Sequence, residues 1–211
     1  MCRILYARAD SPFPISELLQ PFAAMSRASQ EFQGHGWGCA WWGDTGWHQY
    51  HDIRPVWEDD LQAFGETRLL LVHARSAFRD EGIVVENNMP FSDGESMFVF
   101  NGELRGVRIQ SEGRIGAEKI FNYIRRFDKG DKHAATERAV DIIHRRSAYV
   151  RALNLVLSDG EQSILSTSYG EDPDYFQVYR KQSAHRDLVC SRPLDDEPGW
   201  NPIDNHTTIR L

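Results

Sequence analysis

Cys2 is the residue whose type and position indicate chemistry most directly in this sequence. Removal of Met1 would leave Cys2 at the amino terminus, with its thiol and a free α-amine on the same residue. Because the reference pKa of an α-amine is about 7.7–8.0, that amine could act as the base for the thiol. A nucleophile that carries its own base needs no separate histidine. The alternative is an incidental, unreactive cysteine.

Three further sites in the sequence could support chemistry on an amide substrate. Arg75 follows a predicted buried strand, where its guanidinium could hold a carboxylate through two parallel hydrogen bonds. Asn101 and Gly102 follow another predicted strand, and a side-chain amide beside a glycine N–H suits a developing oxyanion. Trp37 lies between two glycines. Each site also has a purely structural alternative: a surface arginine, a hairpin turn and a packed tryptophan.

His48 and His51 form the one histidine pair that could suggest a metal site. Both could reach a single ion only from a helix, and the surrounding residues favour a turn or a strand. Zinc sites use at least three protein ligands, and no third one is near in sequence. The pattern therefore predicts no metal site here.

Composition and charge narrow the classes of function. The chain has 211 residues, of which 41% are hydrophobic and 26% charged, as in soluble globular proteins. Its net charge of −7 disfavours a nucleic-acid binder, and the arginine pairs at 125–126 and 145–146 are expected to be solvated helix faces. No apolar run suits a membrane helix or a signal peptide. Three widely spaced cysteines indicate a reducing compartment, so we expect a cytoplasmic protein.

The elements that must position these residues follow the order strands, a central helix pair, then strands again. Hydrophobic periodicity and turn residues predict strands joined by short turns, which implies antiparallel pairing and an α+β fold. We expect Ser16 to cap an early helix and Asn101-Gly102 to form a hairpin turn. The predicted strands are 2–8, 39–42, 68–74, 97–100, 152–157, 162–167, 176–179 and 188–191, the central helices are 116–127 and 131–146, and 193–202 is a loop.

Taken together and in order, the segments resemble the glutaminase domain of class II glutamine amidotransferases, which are amino-terminal-nucleophile hydrolases. The free-standing subfamily that includes the γ-glutamyl amidohydrolase of ergothioneine biosynthesis is the most similar. The resemblance spans nearly the whole chain. It is carried by the initial Met-Cys-Arg, Gly-Trp-Gly at 36–38, His-x-Arg-x-Ala at 73–77, Asn-x-x-Pro-Phe at 87–91, Asn-Gly at 101–102 and the tail at 191–200.

This resemblance implies a four-layer αββα sandwich formed by one domain, 1–211. Cys2 would attack the side-chain amide of glutamine or a related γ-glutamyl compound, and Asn101 and Gly102 would stabilise the oxyanion. Arg75, Trp37 and Asn87 would bind the substrate. No metal or organic cofactor is implied. The ammonia would pass to a separate synthase subunit, or the protein would be a stand-alone hydrolase.

Several positions depart from the family pattern. His35 replaces the aspartate before Gly-Trp-Gly, Met89 replaces a histidine, and Phe100 replaces the histidine that often precedes Asn-Gly. Gly116 stands where the family's aspartate holds the substrate α-amine. The nucleophile and oxyanion elements are thus present, whereas the substrate-binding elements are partly lost. The competing hypothesis is a ligand-binding or scaffold protein that kept this fold without turnover.

Overall fold

The computed structural model describes all residues, 1–211. It contains two antiparallel sheets, one of seven strands and one of five, with few helices. The predicted α+β class is therefore confirmed. The chain forms two compact units: the first comprises Met1–Pro90 and Val178–Ile203, and the second comprises Phe91–Gln177 and Asp204–Leu211.

The first unit is built on the seven-stranded sheet. Its strands, in sheet order, are β11 (Trp200–Pro202), β9 (Tyr179–Gln182), β10 (Arg186–Cys190), β1 (Arg3–Pro14), β4 (Glu66–Ala74), β2 (Trp37–Gly43) and β3 (Gly46–Asp52). Three short 3-10 helices lie in its loops, at Val56–Glu58, Phe78–Asp80 and Val85–Asn87. The strand pairs are antiparallel throughout, and the β2–β3 turn falls at Asp44-Thr45.

Helix α1 (Ile15–Arg27) packs its apolar face against this sheet. Leu18, Leu19 and Phe22 recur at helical spacing and join Leu5 and Val72 in one buried cluster. Burying each such side chain is worth roughly 1.5–3 kcal/mol, so this face holds the helix on the sheet.

The start of α1 differs from the prediction. The cap residue is Pro14, with no side-chain cap, and Ser16 lies inside the helix. Strand β1 does not stop at the prolines but continues to Pro14, after a register shift between Arg8 and Phe13. Proline is tolerated here because the chain is leaving the regular part of the ladder.

The second unit is built on the five-stranded sheet. Its strands, in sheet order, are β12 (Thr207–Arg210), β8 (Ser163–Thr167), β7 (Tyr149–Ser158), β6 (Met97–Arg105) and β5 (Phe91–Ser92). Helices α2 (Gly116–Arg125) and α3 (Lys132–Arg146) are the predicted central pair, and the Asp131 side chain caps α3 by accepting from the N–H groups of His133 and Ala134. Each unit thus has a sheet and a helical layer.

Three further predictions for single segments are wrong. Asn101-Gly102 lies inside β6 rather than in a turn, because β6 keeps pairing with β7 as far as Arg105. Residues 176–179 are not one strand, since the short helix α4 (Pro173–Phe176) precedes β9. The tail at 193–202 contains β11. No helix is both long enough and apolar enough to cross a membrane.

Candidate active site

Cys2 lies immediately before β1, opposite the loop that follows β4. The antiparallel register pairs Arg3 with Ala74, so the next residues outward face one another. The backbone N–H of Ser76 donates to the Cys2 Sγ at 3.5 Å, and the thiol lies 3.7 Å from the Ser76 carbonyl oxygen. A thiolate formed at Cys2 would therefore find a backbone donor already in place.

The electrostatic surroundings of the Cys2 thiol oppose spontaneous ionisation. Burial raises its pKa, an effect opposed in decreasing order by the amino-terminal ammonium, the Ser76 N–H and Arg75. A neutral thiol needs a base before it can attack a carbonyl carbon. While Met1 is attached, the nitrogen of Cys2 is an amide and cannot be that base.

Met1 itself is held by two side chains that sequence analysis missed. Its ammonium pairs with the Glu31 carboxylate, and the buried Gln33 amide donates to the Met1 carbonyl at 2.5 Å. Glu31 and Gln33 lie in the loop after α1, about 30 residues from Cys2 in the chain, and no motif marks them. Removal of Met1 would leave a carboxylate and an amide close to the new amino terminus.

Arg75 is a buried cation with no carboxylate partner. Its side chain is only 5% exposed and donates to the carbonyl oxygens of Gly82 at 2.8 Å and Glu81 at 3.4 Å. Burial lowers the pKa of Arg75. A guanidinium has five N–H donors, and these carbonyls leave some of them available to an anion. Asn87, which is also buried, donates to the same Gly82 carbonyl at 3.0 Å, so the structure brings Arg75 and Asn87 together.

Trp37 is fully buried in the core of the first unit. Its indole N–H donates to the Asp59 carboxylate at 3.0 Å, and its ring packs against Tyr50. The whole residue lies between β3 and β4, which pair with it through Asp52 and Ala74. Gly36 precedes it with a φ of +106°, and a β-carbon there would lie 2.2 Å from the Asn88 side chain, so glycine is required.

His35, which departs from the family pattern, connects two segments of the site. Its Nδ1 accepts a hydrogen bond from the Ala77 N–H at 2.9 Å, and its backbone N–H donates to the Arg75 carbonyl at 3.1 Å. Its Nε2 lies 3.5 Å from a carboxylate oxygen of Asp80. The histidine thus ties the segment before Trp37 to the loop that carries Arg75.

In the second unit, Asn101 differs sharply from the asparagine beside it on the next strand. Asn101 is 1% exposed, and its Oδ1 is buried without a hydrogen-bond partner. Asn154, its register partner, donates to the Phe176 carbonyl and accepts from Thr167 and Ser168. Because buried polar groups are usually satisfied, the Asn101 amide is an exception that needs an explanation.

The N–H of Gly102 is not used in the ladder with β7. Its register partner, Leu153, exchanges both backbone hydrogen bonds with Ser168 on the other side, at 2.7 and 3.1 Å. Gly102 therefore directs its N–H toward the outer edge of β6, where β5 pairs only with Met97 and Phe98. A β-carbon at position 102 would lie 2.2 Å from the Ala152 carbonyl oxygen, so only glycine fits. Asn101 and Gly102 thus form an adjacent pair of amide groups.

The histidine pair lies on β3, as the strand or turn prediction required. Residues three apart on a strand point to opposite faces. The His48 ring stacks on Trp41, and the His51 Nε2 lies 3.0 Å from the Pro90 carbonyl oxygen. No group of three or more His, Cys, Asp or Glu side chains is arranged to hold a metal ion.

The fold is shared with solved glutamine amidotransferases, although no protein-family model matches the sequence. A glutamine aminotransferase class-II domain protein from Silicibacter pomeroyi superposes with a TM-score of 0.69, covering 99% of this chain and 94% of that chain at 19% identity. Glutamine phosphoribosylpyrophosphate amidotransferase from B. subtilis gives 0.64, covering 90% of this chain and 42% of that chain at 12% identity. The chain therefore has the fold of the class II, amino-terminal-nucleophile glutamine amidotransferases, and the resemblance carried by its motifs is confirmed.

The sequence is also similar to that of one curated relative. The chain is 26% identical over 204 residues to the gamma-glutamyl-hercynylcysteine sulfoxide hydrolase of Mycolicibacterium smegmatis, a match that covers 92% of this chain and 85% of that protein. These similarities support an enzyme of the amidohydrolase or amidotransferase class. The scaffold alternative is not favoured.

Proposed function

We propose that this protein is a Cys2-dependent amidohydrolase that cleaves glutamine or a related γ-glutamyl compound. The observation that carries the proposal is the grouping of the Cys2 thiol, the Ser76 N–H and the buried, carboxylate-free Arg75 in one loop-and-strand segment. The similarity to a hydrolase of a γ-glutamyl compound supports the substrate class.

The proposed reaction begins with removal of Met1, which frees the α-amine of Cys2. That amine takes the thiol proton while Sγ attacks the carbonyl carbon of the substrate amide. The Asn101 side-chain amide and the Gly102 N–H donate to the resulting oxyanion, and a donor of this kind is worth about 2.7–4 kcal/mol. The proton then passes to the leaving nitrogen, and water hydrolyses the acyl-enzyme.

Substrate recognition would centre on a carboxylate. Arg75 would bind the α-carboxylate through charge-assisted hydrogen bonds, with Asn87 holding the Gly82 carbonyl against the same side chain. Trp37 would support the site from within the core, where its ring packs against Tyr50. Gly116 provides no carboxylate for an α-ammonium, so we propose a γ-glutamyl substrate whose α-amine is substituted.

The partners and location follow the same reasoning. We propose that the 211 residues act as one catalytic domain, either as a stand-alone hydrolase or with a separate ammonia-accepting synthase subunit. The three cysteines are all unpaired, which favours a cytoplasmic location.

The test is release of ammonia from glutamine, and of the corresponding amine from other γ-glutamyl amides, by protein whose Met1 has been removed. Cys2→Ala should abolish turnover, whereas Cys39→Ala, which changes a buried cysteine of the same sheet, should retain it. Turnover by Cys2→Ala at the wild-type rate would refute the proposal.

A further inference from the structure

The second unit carries a concentration of positive charge that the proposed reaction does not use. The two arginine pairs fall at the carboxyl-terminal ends of α2 and α3, beside the loop that follows β6. They border a surface cavity of about 850 Å³, here called the arginine groove. Its charged residues are Arg108, Arg126, Arg145 and Arg146, and no acidic residue lines it.

Three of these four guanidiniums have no carboxylate partner. Arg108 and Arg146 form no ion pair, and the Arg108 N–H donates to the Arg146 carbonyl at 2.8 Å, which places the two residues side by side. Arg126 donates only to the Gln110 carbonyl, at 2.7 Å. Arg145 alone has an acid, in an exposed i,i+4 pair that is weak and easily exchanged. Like charges gathered in this way repel one another unless an anion binds.

The floor of the arginine groove is apolar. Ile109, Tyr123, Phe127 and Ile142 line it and are each half-buried, while all four arginines are exposed. The arginine groove therefore has an apolar floor and a positively charged rim. Such a surface complements a chain in which apolar side chains alternate with carboxylates.

The aromatic rings of the groove are not available for stacking with nucleic-acid bases. Arg126 covers the Tyr123 ring at 5.7 Å, and Arg138 covers the Phe127 ring at 5.0 Å. The two rings also pack edge to face, with centroids 5.2 Å apart. Stacking of single-stranded nucleic-acid bases requires free aromatic faces, which these two rings do not offer.

The groove continues beyond this cavity. A second depression of about 570 Å³ shares Gln110 and Arg126 with the first and adds Ser111, Glu112, Asn122 and Arg125, of which Arg125 pairs with Asp93. Two adjoining depressions fit an extended chain better than a compact ligand, and the carboxylates of that chain would lie in the first, which has no acidic residue.

We propose that the arginine groove binds an extended acidic segment of a partner protein, whose apolar side chains sit on the isoleucines and whose carboxylates pair with Arg108, Arg126 and Arg146. None of the residues assigned to the hydrolytic reaction belongs to this surface. The interaction is therefore independent of the proposed function.

Fluorescence anisotropy with a labelled peptide, in which glutamates alternate with leucines and phenylalanines, tests this proposal on the full chain. The wild type should bind the peptide, and added salt should weaken binding. The double variant Arg108→Glu/Arg146→Glu should weaken binding at least about tenfold, because both exposed charges are reversed. Arg126→Gln, which removes charge without adding an opposite one, should have a smaller effect in the same direction.

The matched control is Arg68→Glu, an exposed arginine on β4 that makes no ion pair. It should bind the peptide like the wild type, and all variants should hydrolyse small substrates at the wild-type rate. Unchanged peptide binding by the double variant would overturn the proposal, and so would tighter binding of a single-stranded oligonucleotide than of the acidic peptide.

Discussion

Replacing Asn101 by alanine should separate catalysis from stability. In the proposed reaction the Asn101 amide donates to the oxyanion, so Asn101→Ala should lower kcat by about 10²–10³ with little change in KM, equivalent to about 2.7–4 kcal/mol of transition-state stabilisation. In the folded protein, however, Asn101 Oδ1 is already buried without a partner, a condition that costs roughly 1–3 kcal/mol. Its removal offsets the loss of packing, so the free energy of unfolding should change by no more than about 1 kcal/mol.

Asn154→Ala is the matched control, since Asn154 is the register partner of Asn101 on β7. It loses one donated and two accepted hydrogen bonds and leaves buried partners unsatisfied. We expect a loss of about 2–4 kcal/mol. For a chain of this length that corresponds to a fall in Tm of about 4–16 °C.

The assay combines thermal unfolding with steady-state kinetics on the same preparations. The expected pattern is an inactive but stable Asn101→Ala and an active but less stable Asn154→Ala, measured below its Tm. An Asn101→Ala protein that melts much earlier yet keeps its kcat would refute the reasoning and make Asn101 a structural residue.

Three further predictions concern recognition and stability. Arg75→Lys should raise KM for α-carboxylate substrates by about 10- to 100-fold, because an ammonium cannot replace the bidentate contact of a guanidinium. The KM for substrates with an α-carboxamide should not change in this way. Gly116→Asp should be accommodated, because a β-carbon at this position meets no atom within 4 Å. It should raise kcat/KM for free glutamine relative to N-acylated glutamine, because the new carboxylate can pair with the α-ammonium. A wild-type preference for free glutamine of about tenfold would contradict the substrate proposal. Burial, and to a smaller extent the nearby His206, lowers the pKa of His144 below its usual 6.5. Stability should therefore fall as the pH drops below 6.5, because the unfolded chain then binds the proton more readily. His144→Gln should flatten this part of the curve of Tm against pH.

Local patterns predicted the elements whose signals lie within a few residues. The apolar run of β4 and the helical spacing of α2 and α3 were predicted correctly because periodicity alone determines which face is buried. The dipeptide Asn101-Gly102 by itself favours a turn. The pairing of β6 with β7, some 50 residues away, overrides that preference.

In the candidate site, too, local motifs predict some residues, whereas contacts between distant segments determine others. The motifs identify Cys2, Arg75 and Asn101-Gly102, and the fold is shared with solved glutamine amidotransferases, while the roles of the individual residues stay predictions. No local pattern indicates the contacts of Glu31 and Gln33 with Met1, or of His35 with Ala77, because these contacts form only after distant loops meet. They are products of tertiary packing, which spacing along the chain does not encode.

The most direct test of the central claim is peptide mapping after the protein reacts with an electrophilic glutamine analogue, on chains with and without Met1. Cys39 and Cys190 are buried, and burial raises the pKa of both thiols, that of Cys190 to about 12. The account predicts one label per chain, on Cys2 and only where Met1 has been removed. Equal labelling of the three cysteines, or no label on Cys2 in the processed chain, would contradict it.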